Sequence, residues 1–269
     1  MHVHLFPAPV FRAIWRFFES SSNGLWNIRY RLHGDDHVRH LEEQGIRKFT
    51  GLLYAHKPGM ADSLNDFMAE SAQRYSGLLP FGTIYAADGN VAARSRRIFE
   101  DYGFYGIKLH PFVSREQLDD RGFYPAYEIM EDLGRVLVCH PASAPVYDAT
   151  DGARRISSIL SDFPGLCIVI AHCGAFETRE YLELADRHEH VYFDTAMNCV
   201  HTQVFENNCP GREFFLRYQD RIVYGSDYPN IPYEYEEQRM SIQALELGPE
   251  IEQKIFEKNA TRLLRLEKV

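Results

Sequence analysis

Eight short runs of apolar and β-branched residues, each bounded by turn-forming residues, recur along this chain and constrain its fold more than any other feature. They span residues 3–6, 48–54, 78–85, 106–110, 135–140, 166–172, 190–195 and 221–226. Between them lie helix-patterned segments such as AARSRRIFEDY (92–102), YPAYEIMEDL (124–133) and RRISSILS (154–161), commonly closed by Gly or Pro. From the second run onward the starts fall roughly 25–30 residues apart, the length of one βα unit. The runs are continuous rather than alternating, so both strand faces are expected to be buried, as in a parallel sheet wrapped by helices. Eight such units make a (β/α)8 TIM barrel, which takes about 250 residues, and the chain has 269. An open doubly wound sheet is the competing architecture. It would usually carry a Gly-rich phosphate turn after its first strand, where this chain has HVHLFPAP.

The reading is therefore α/β, with a single barrel domain over residues 1–269. Residues 7–46 depart from the βα rhythm. They hold the aromatic stretch FRAIWRFFE and are expected to insert after strand 1 and cover the barrel mouth as a lid. A 45% hydrophobic, 25% charged composition excludes a disordered chain. The net charge of −9, without a basic block, argues against nucleic acid. The absence of a long apolar run argues against a membrane span. A small-molecule substrate is the expected partner, and a homo-oligomer stays open. The five cysteines are an odd number without C-x-x-C spacing and read as reduced, buried thiols. MHVHLFP has neither the charged head nor the apolar stretch of a secretory signal, so a cytoplasmic location is expected.

The candidate chemistry is positional. Strand one carries His2-x-His4, strand four ends in Lys108-Leu-His110, strands five and six end at His140 and His172, and strand eight runs into Asp227. Residues two apart on a strand share a face, and the C-terminal strand ends of a barrel meet at one mouth. Imidazole and carboxylate donors suit Zn²⁺, Mn²⁺ or Fe²⁺, with zinc the default for one divalent ion. A lone His at a strand end is more often a hydrogen-bonded core residue, but the convergent set favours function. His110 reads equally as a supporting or a packed residue, and Asp194 either orients a ligand His or caps a helix. His33, His37 and His40 read as an exposed helix face, and Trp15, Phe17 and Phe18 as lid packing. Residues 228–235, rich in Tyr, should shape the mouth.

The motifs HVHLFP, GIKLHP, VLVCHPAS, IVIAHCG, VYFDTA, IVYGSDYPN and KNATRLLRL, in that order, resemble the amidohydrolase superfamily. They are most similar to the amidohydrolase-2 branch that contains aminocarboxymuconate semialdehyde decarboxylase and related metal-dependent hydrolases. The resemblance implies His2, His4, His140 and Asp227 as metal ligands, Asp227 and His172 as catalytic residues, and a metal-activated water as nucleophile or, in the decarboxylases, a hydrated metal that helps protonate the substrate. The family's first strand begins several apolar residues before its HxH pair, whereas Met1 directly precedes His2 here. With nothing before Met1, strand one would lack part of its hydrogen bonding and His2 would be held loosely.

Lys108 shares the mouth with the ion and should have its pKa pushed down. It has three fates: a carbamate bridging two ions, an ammonium paired with Asp227 or a substrate carboxylate, or a side chain turned outward beneath Tyr105 and Phe112. The reading is a single ion, with Lys108 unmodified and free to hold an acidic substrate group. The expected activity is metal-dependent hydrolysis of a small carbonyl, lactone or amide substrate. The alternative is decarboxylation of an aromatic or unsaturated acid by a carboxy-lyase, and a metal-free binding protein ranks third.

Overall fold

A computed structural model describes residues 1–22, 24–141, 151–202 and 209–266. Asn23 of the expected lid, and Ala142 and Ser143 of the VLVCHPAS motif, lie outside the described residues. The chain runs β1 (Val3–His4), α1 (Ala8–Ser21), α2 (Gly34–Glu43), β2 (Phe49–Leu52), α3 (Ala61–Arg74), β3 (Leu78–Gly82), α4 (Val91–Arg96) and β4 (Gly106–Leu109). It continues through α5 (Pro111–Ser114), α6 (Tyr124–Leu133), β5 (Val136–Cys139), α7 (Gly152–Asp162), β6 (Cys167–Ile170), α8 (Thr178–Arg187) and β7 (Val191–Asp194). It closes with α9 (Arg212–Arg217), β8 (Ile222–Val223), α10 (Tyr235–Gln243), α11 (Pro249–Gln253) and α12 (Asn259–Leu263).

All neighbouring strands pair in parallel and in sequence order, β1 to β8. Just past β8 the ring meets β1 again. The amides of Ser226 and Asp227 donate to the His2 carbonyl at 3.2 and 2.8 Å, and His4 N–H donates to the Tyr228 carbonyl at 2.8 Å. The fold is the expected TIM barrel, with strands shorter than the apolar runs because the last residues of each run leave the ladder as mouth loops.

Strand alternation sorts the side chains. Leu52, Phe81, Val136, Val138, Val169 and Val223 fill the barrel interior, with Leu263 and Leu264 packed against them. Intervening residues such as Ile107, Leu109, Leu137, Ile168 and Ile170 face the helices. A Cβ on Gly106 would lie 2.0 Å from the Val136 carbonyl and 2.4 Å from the Phe81 ring, so glycine is required where Phe81 fills the barrel. The helix layer is also stitched on its outer rim. Arg74 and Tyr75 both reach Asp35, Arg97 and Tyr102 reach Asp66, and Arg217 and Tyr218 reach Asp186, each carboxylate sitting on the preceding helix. Among the described residues, no helix is long and apolar enough to cross a membrane.

Two expectations are corrected here. Cys199 and Cys209 form a disulfide, while Cys139, Cys167 and Cys173 are free; both partners lie beyond β7, outside the apolar strands on which the reduced-thiol reading rested. Of the three histidines expected on an exposed face, His33 is exposed, His40 is half-buried and His37 is not presented to solvent. His37 is fully buried, with Tyr228 at 4.7 Å and Phe11 at 5.8 Å between ring centroids, and His40 stacks on Tyr228 at 5.4 Å. Spacing of three or four residues marks one helix face, and here that face is the packed one.

Candidate active site

The parity that fills the barrel also builds its mouth. Two residues beyond Gly106 comes Lys108 and then His110; two beyond Val138 comes His140; two and four beyond Val223 come Gly225 and Asp227. His2, His4, Lys108, His110, His140, His172 and Asp227 all line one cavity, which brings together the residues expected at the mouth from the strand ends.

Asp227 Oδ1 lies 2.8 Å from His4 Nε2 and 3.3 Å from His2 Nε2. Donor atoms of His2, His172 and Asp227 all fall within 4.8 Å of one another. His140 Nδ1 sits 3.0 Å from His172 Nε2, and its ring stacks on His110 with centroids 4.3 Å apart.

His172 and Asp227 both hold the left-handed backbone region, at φ 56° and 59°. That conformation costs about 1–2 kcal/mol per non-glycine residue and tends to persist where the surroundings demand it. At His172 the demand is visible. Its N–H donates to Asp194 Oδ1 at 3.0 Å, as does the Ala196 N–H at 3.0 Å, while Asp194 Oδ2 takes His2 Nδ1 at 2.8 Å. Asp194, fully buried at the end of β7, therefore orients His2 and anchors the His172 turn. Gly225 leaves the room: a Cβ there would come within 2.8 Å of His2 Cβ. His2 is 1% exposed and held at both its ring and its carbonyl, which corrects the expectation of a loosely held residue.

The protons of this cluster can be assigned from its partners. A carbonyl only accepts, so His4 Nδ1 donates to Leu52 O at 3.3 Å and His172 Nδ1 donates to Ala196 O at 2.9 Å. His2 Nδ1 likewise donates to the Asp194 carboxylate. With one proton on each ring the lone pair is then on Nε2, the atom that faces Asp227 in His2 and His4. Asp227 Oδ1 is buried without a hydrogen-bond donor. Lone pairs and a carboxylate facing one another across a few ångströms require a cation, and this donor set is the one that holds Zn²⁺, Mn²⁺ or Fe²⁺. The residues present thus fit a divalent ion.

Burial pushes the Asp227 carboxyl up, but positive charge on His2, His4 and His172 outweighs it whenever those rings are protonated and holds the group at about 2. Burial, reinforced by Lys108, keeps His2 and His110 well below the usual histidine range. Lys108 is itself fully buried, and its Nζ has no hydrogen-bond partner among the described residues. The outward fate beneath Tyr105 and Phe112 is excluded. Burial lowers its pKa, against the pull of Asp194 and Asp227.

Several cavity residues escaped the sequence reading. Tyr54 lines it two residues beyond the inward Leu52, a position the alternation of β2 marks; Met197, Trp26 and Asn230 lie on loops that carry no periodic signal. Of the aromatic trio in α1, Phe18 lines the cavity, Trp15 is buried and Phe17 is 52% exposed. Tyr228 packs on His37 and His40 instead of lining the mouth. Space for water inside the cavity is about 30 Å³, room for roughly two molecules.

The family model for amidohydrolases matches residues 1–266. The chain belongs to the amidohydrolase family. This amidohydrolase matches no curated protein, but solved structures share its fold. A TIM-barrel protein of Bordetella bronchiseptica is 21% identical, with 98% of this chain and 97% of that one covered and a TM-score of 0.69. A dihydroxybenzoic acid decarboxylase of Polaromonas sp. JS666, with bound manganese and the inhibitor 2-nitroresorcinol, is 16% identical over 100% and 97% of the two chains at a TM-score of 0.73. A 5-carboxyvanillate decarboxylase of Novosphingobium aromaticivorans, complexed with manganese and a nitrobenzoic acid, is 19% identical over 98% and 95% at 0.69.

Proposed function

We propose that this amidohydrolase is a metal-dependent carboxy-lyase for a small planar acid. One observation carries the reading: Lys108, a fully buried lysine without a contact ion pair or hydrogen-bond partner among the described residues, lines the same cavity as the histidine and aspartate cluster. A buried amine is costly unless something pairs with it, and a substrate carboxylate supplies the missing partner. The walls suit a flat acid, with Phe18, Trp26, Tyr54 and His110 around the cluster. The decarboxylases that share the fold act on such acids.

His2, His4, His140 and Asp227 are the proposed metal ligands, with zinc, manganese or iron as the ion. When bound, the ion supplies a Lewis acid that offsets negative charge on a substrate oxygen. Asp194 holds His2 in the ligand tautomer, and His110 supports His140 by stacking. Lys108, unmodified, orients the acid. Loss of CO2 leaves the electron pair of the broken bond on carbon, so that carbon must receive a proton. We assign that proton transfer to Asp227 and His172, whose donor atoms lie within 4.8 Å of each other. We assign residues 7–46 as the lid, since Phe18 and Trp26 from that segment wall the cavity.

Hydrolysis is the second reading. It is favoured by Asp227, whose buried Oδ1 has no hydrogen-bond donor and so is free to take a proton from water. The test is direct. Protein loaded with Mn²⁺ or Zn²⁺ is incubated with 2,6-dihydroxybenzoate, 5-carboxyvanillate and a set of lactones and amides, with CO2 and products quantified. CO2 release from an acid is expected. Ring opening or amide cleavage without CO2 would move the assignment to hydrolase.

A further inference from the structure

The chain has two tryptophans, and both end on one residue. Trp15 Nε1 donates to Asn230 Oδ1 at 3.1 Å, and Trp26 Nε1 donates to the Asn230 carbonyl at 2.9 Å. Asn230 is tied in turn to the candidate metal ligands, because its N–H donates to the Asp227 carbonyl at 3.0 Å. An indole N–H is only a donor, so the contact with Trp15 settles which end of the carboxamide is oxygen. The other end is Nδ2. Asn230 is 2% exposed and lines the cavity shared by His2, His4, Lys108 and Asp227. Its Nδ2 has no acceptor among the described residues. That nitrogen lies at the water-accessible cavity, where an incoming oxygen can accept from it in place of water.

We infer that Asn230 is a substrate-binding residue whose Nδ2 donates to an oxygen of the acid held beside the metal ligands, and that its two tryptophan contacts transmit that occupancy to residues 7–46. The inference rests on the acid-substrate reading above. Lys108 answers the charge of a carboxylate; a neutral amide answers an oxygen acceptor, either the second carboxylate oxygen or a ring hydroxyl beside it. Asn230 is then a specificity residue, because a site built to donate to an oxygen discriminates against ligands that lack it.

The experiment uses the full chain, ¹⁵N-labelled and loaded with diamagnetic Zn²⁺, in which the two indole N–H signals report Trp15 and Trp26. Benzoate and 2,6-dihydroxybenzoate are titrated into the wild type, Asn230→Asp and Asn230→Leu. In the wild type both indole signals should shift on binding. Asn230→Asp keeps an acceptor for Trp15 but removes the donor, so its ligand-free indole signals should match the wild type while affinity falls at least tenfold. Asn230→Leu should lose affinity and also displace the Trp15 signal. A loss confined to 2,6-dihydroxybenzoate identifies the hydroxyl as the oxygen bound; an equal loss for both acids identifies the carboxylate. Affinity within twofold of wild type for both variants overturns the inference. Should neither acid bind the wild type, the acid-substrate reading falls, and the Asn230 side-chain amide decides the donor separately. Magnetisation exchange between Nδ2 hydrogens and cavity water supports an available donor, and its absence refutes one.

Discussion

Replacing Asp194 by Asn changes one atom's chemistry at the point on which the candidate metal site depends. The carboxylate accepts three hydrogen bonds: His172 N–H and Ala196 N–H on Oδ1, both at 3.0 Å, and His2 Nδ1 on Oδ2 at 2.8 Å. In Asp194→Asn the remaining oxygen keeps the two backbone donors. The new amide nitrogen then faces His2 Nδ1, donor against donor. His2 relieves the clash by moving its proton to Nε2, which removes the lone pair that faces Asp227. The shifted ring accepts from the new amide, so all three hydrogen bonds persist and only the charge on the acceptor is lost; folding should weaken by about 1 kcal/mol, the difference between a charge-assisted and a neutral hydrogen bond. Metal affinity should fall about 10–100-fold, as for other residues that orient a ligand histidine, or about 1.4–2.8 kcal/mol at 1.4 kcal/mol per decade. Competition with a chromophoric chelator gives the affinity, and urea unfolding of the metal-free protein gives the stability. Zn²⁺ or Mn²⁺ binding within twofold of wild type would show that Asp194 does not set the His2 tautomer.

Other perturbations separate the roles of the remaining residues. Asp227→Asn should keep the fold but lower turnover on the order of 10²–10⁴, because an amide neither accepts a proton nor supplies an anionic ligand; near-wild-type turnover would point to another base. Lys108→Met should raise the melting temperature, since an unpaired buried amine is replaced by an apolar chain of similar length, while binding of acids collapses; a lowered melting temperature with acid binding intact would contradict the role given to Lys108. His37 is pushed down to about 3 by burial, so the unfolded chain takes up a proton near 6.5 that the folded chain refuses. Stability is therefore full above that pH and lost as pH falls toward 3, by about 1 kcal/mol between pH 7 and 5.5. His37→Phe should flatten this slope in urea titrations, and an unchanged slope would place the titrating group elsewhere. Removal of metal by a chelator should lower the melting temperature in proportion to the affinity and concentration of the ion, as read by calorimetry before and after dialysis.

Much of this architecture was legible before any coordinates, for a physical reason. A strand buried on both faces must be apolar throughout, and a parallel partner requires a helical return of fixed minimum length, so eight βα units write their period into the chain. The same alternation pointed His2, His4, Lys108, His110 and His140 inward, and barrel closure then brought Asp227 to them. Sequence position was less informative where backbone geometry departs from regular strand. His172 reaches the cluster only through its left-handed backbone at φ 56°, and the Asp194 contacts that hold it there span 22 residues and, to His2, 192.

The sequence by itself determined the element types, their order and the chemical character of the mouth, because periodicity and residue type are local properties. Tertiary structure alone decided the proton positions and the walls. Whether Asp194 caps a helix or holds the His2 ring, whether His37 faces solvent or Tyr228, whether Lys108 turns inward, and that Asn230 meets both tryptophans depend on contacts between segments far apart in the chain. No window along the sequence contains both partners of such a contact, and its energy exists only once the barrel has closed.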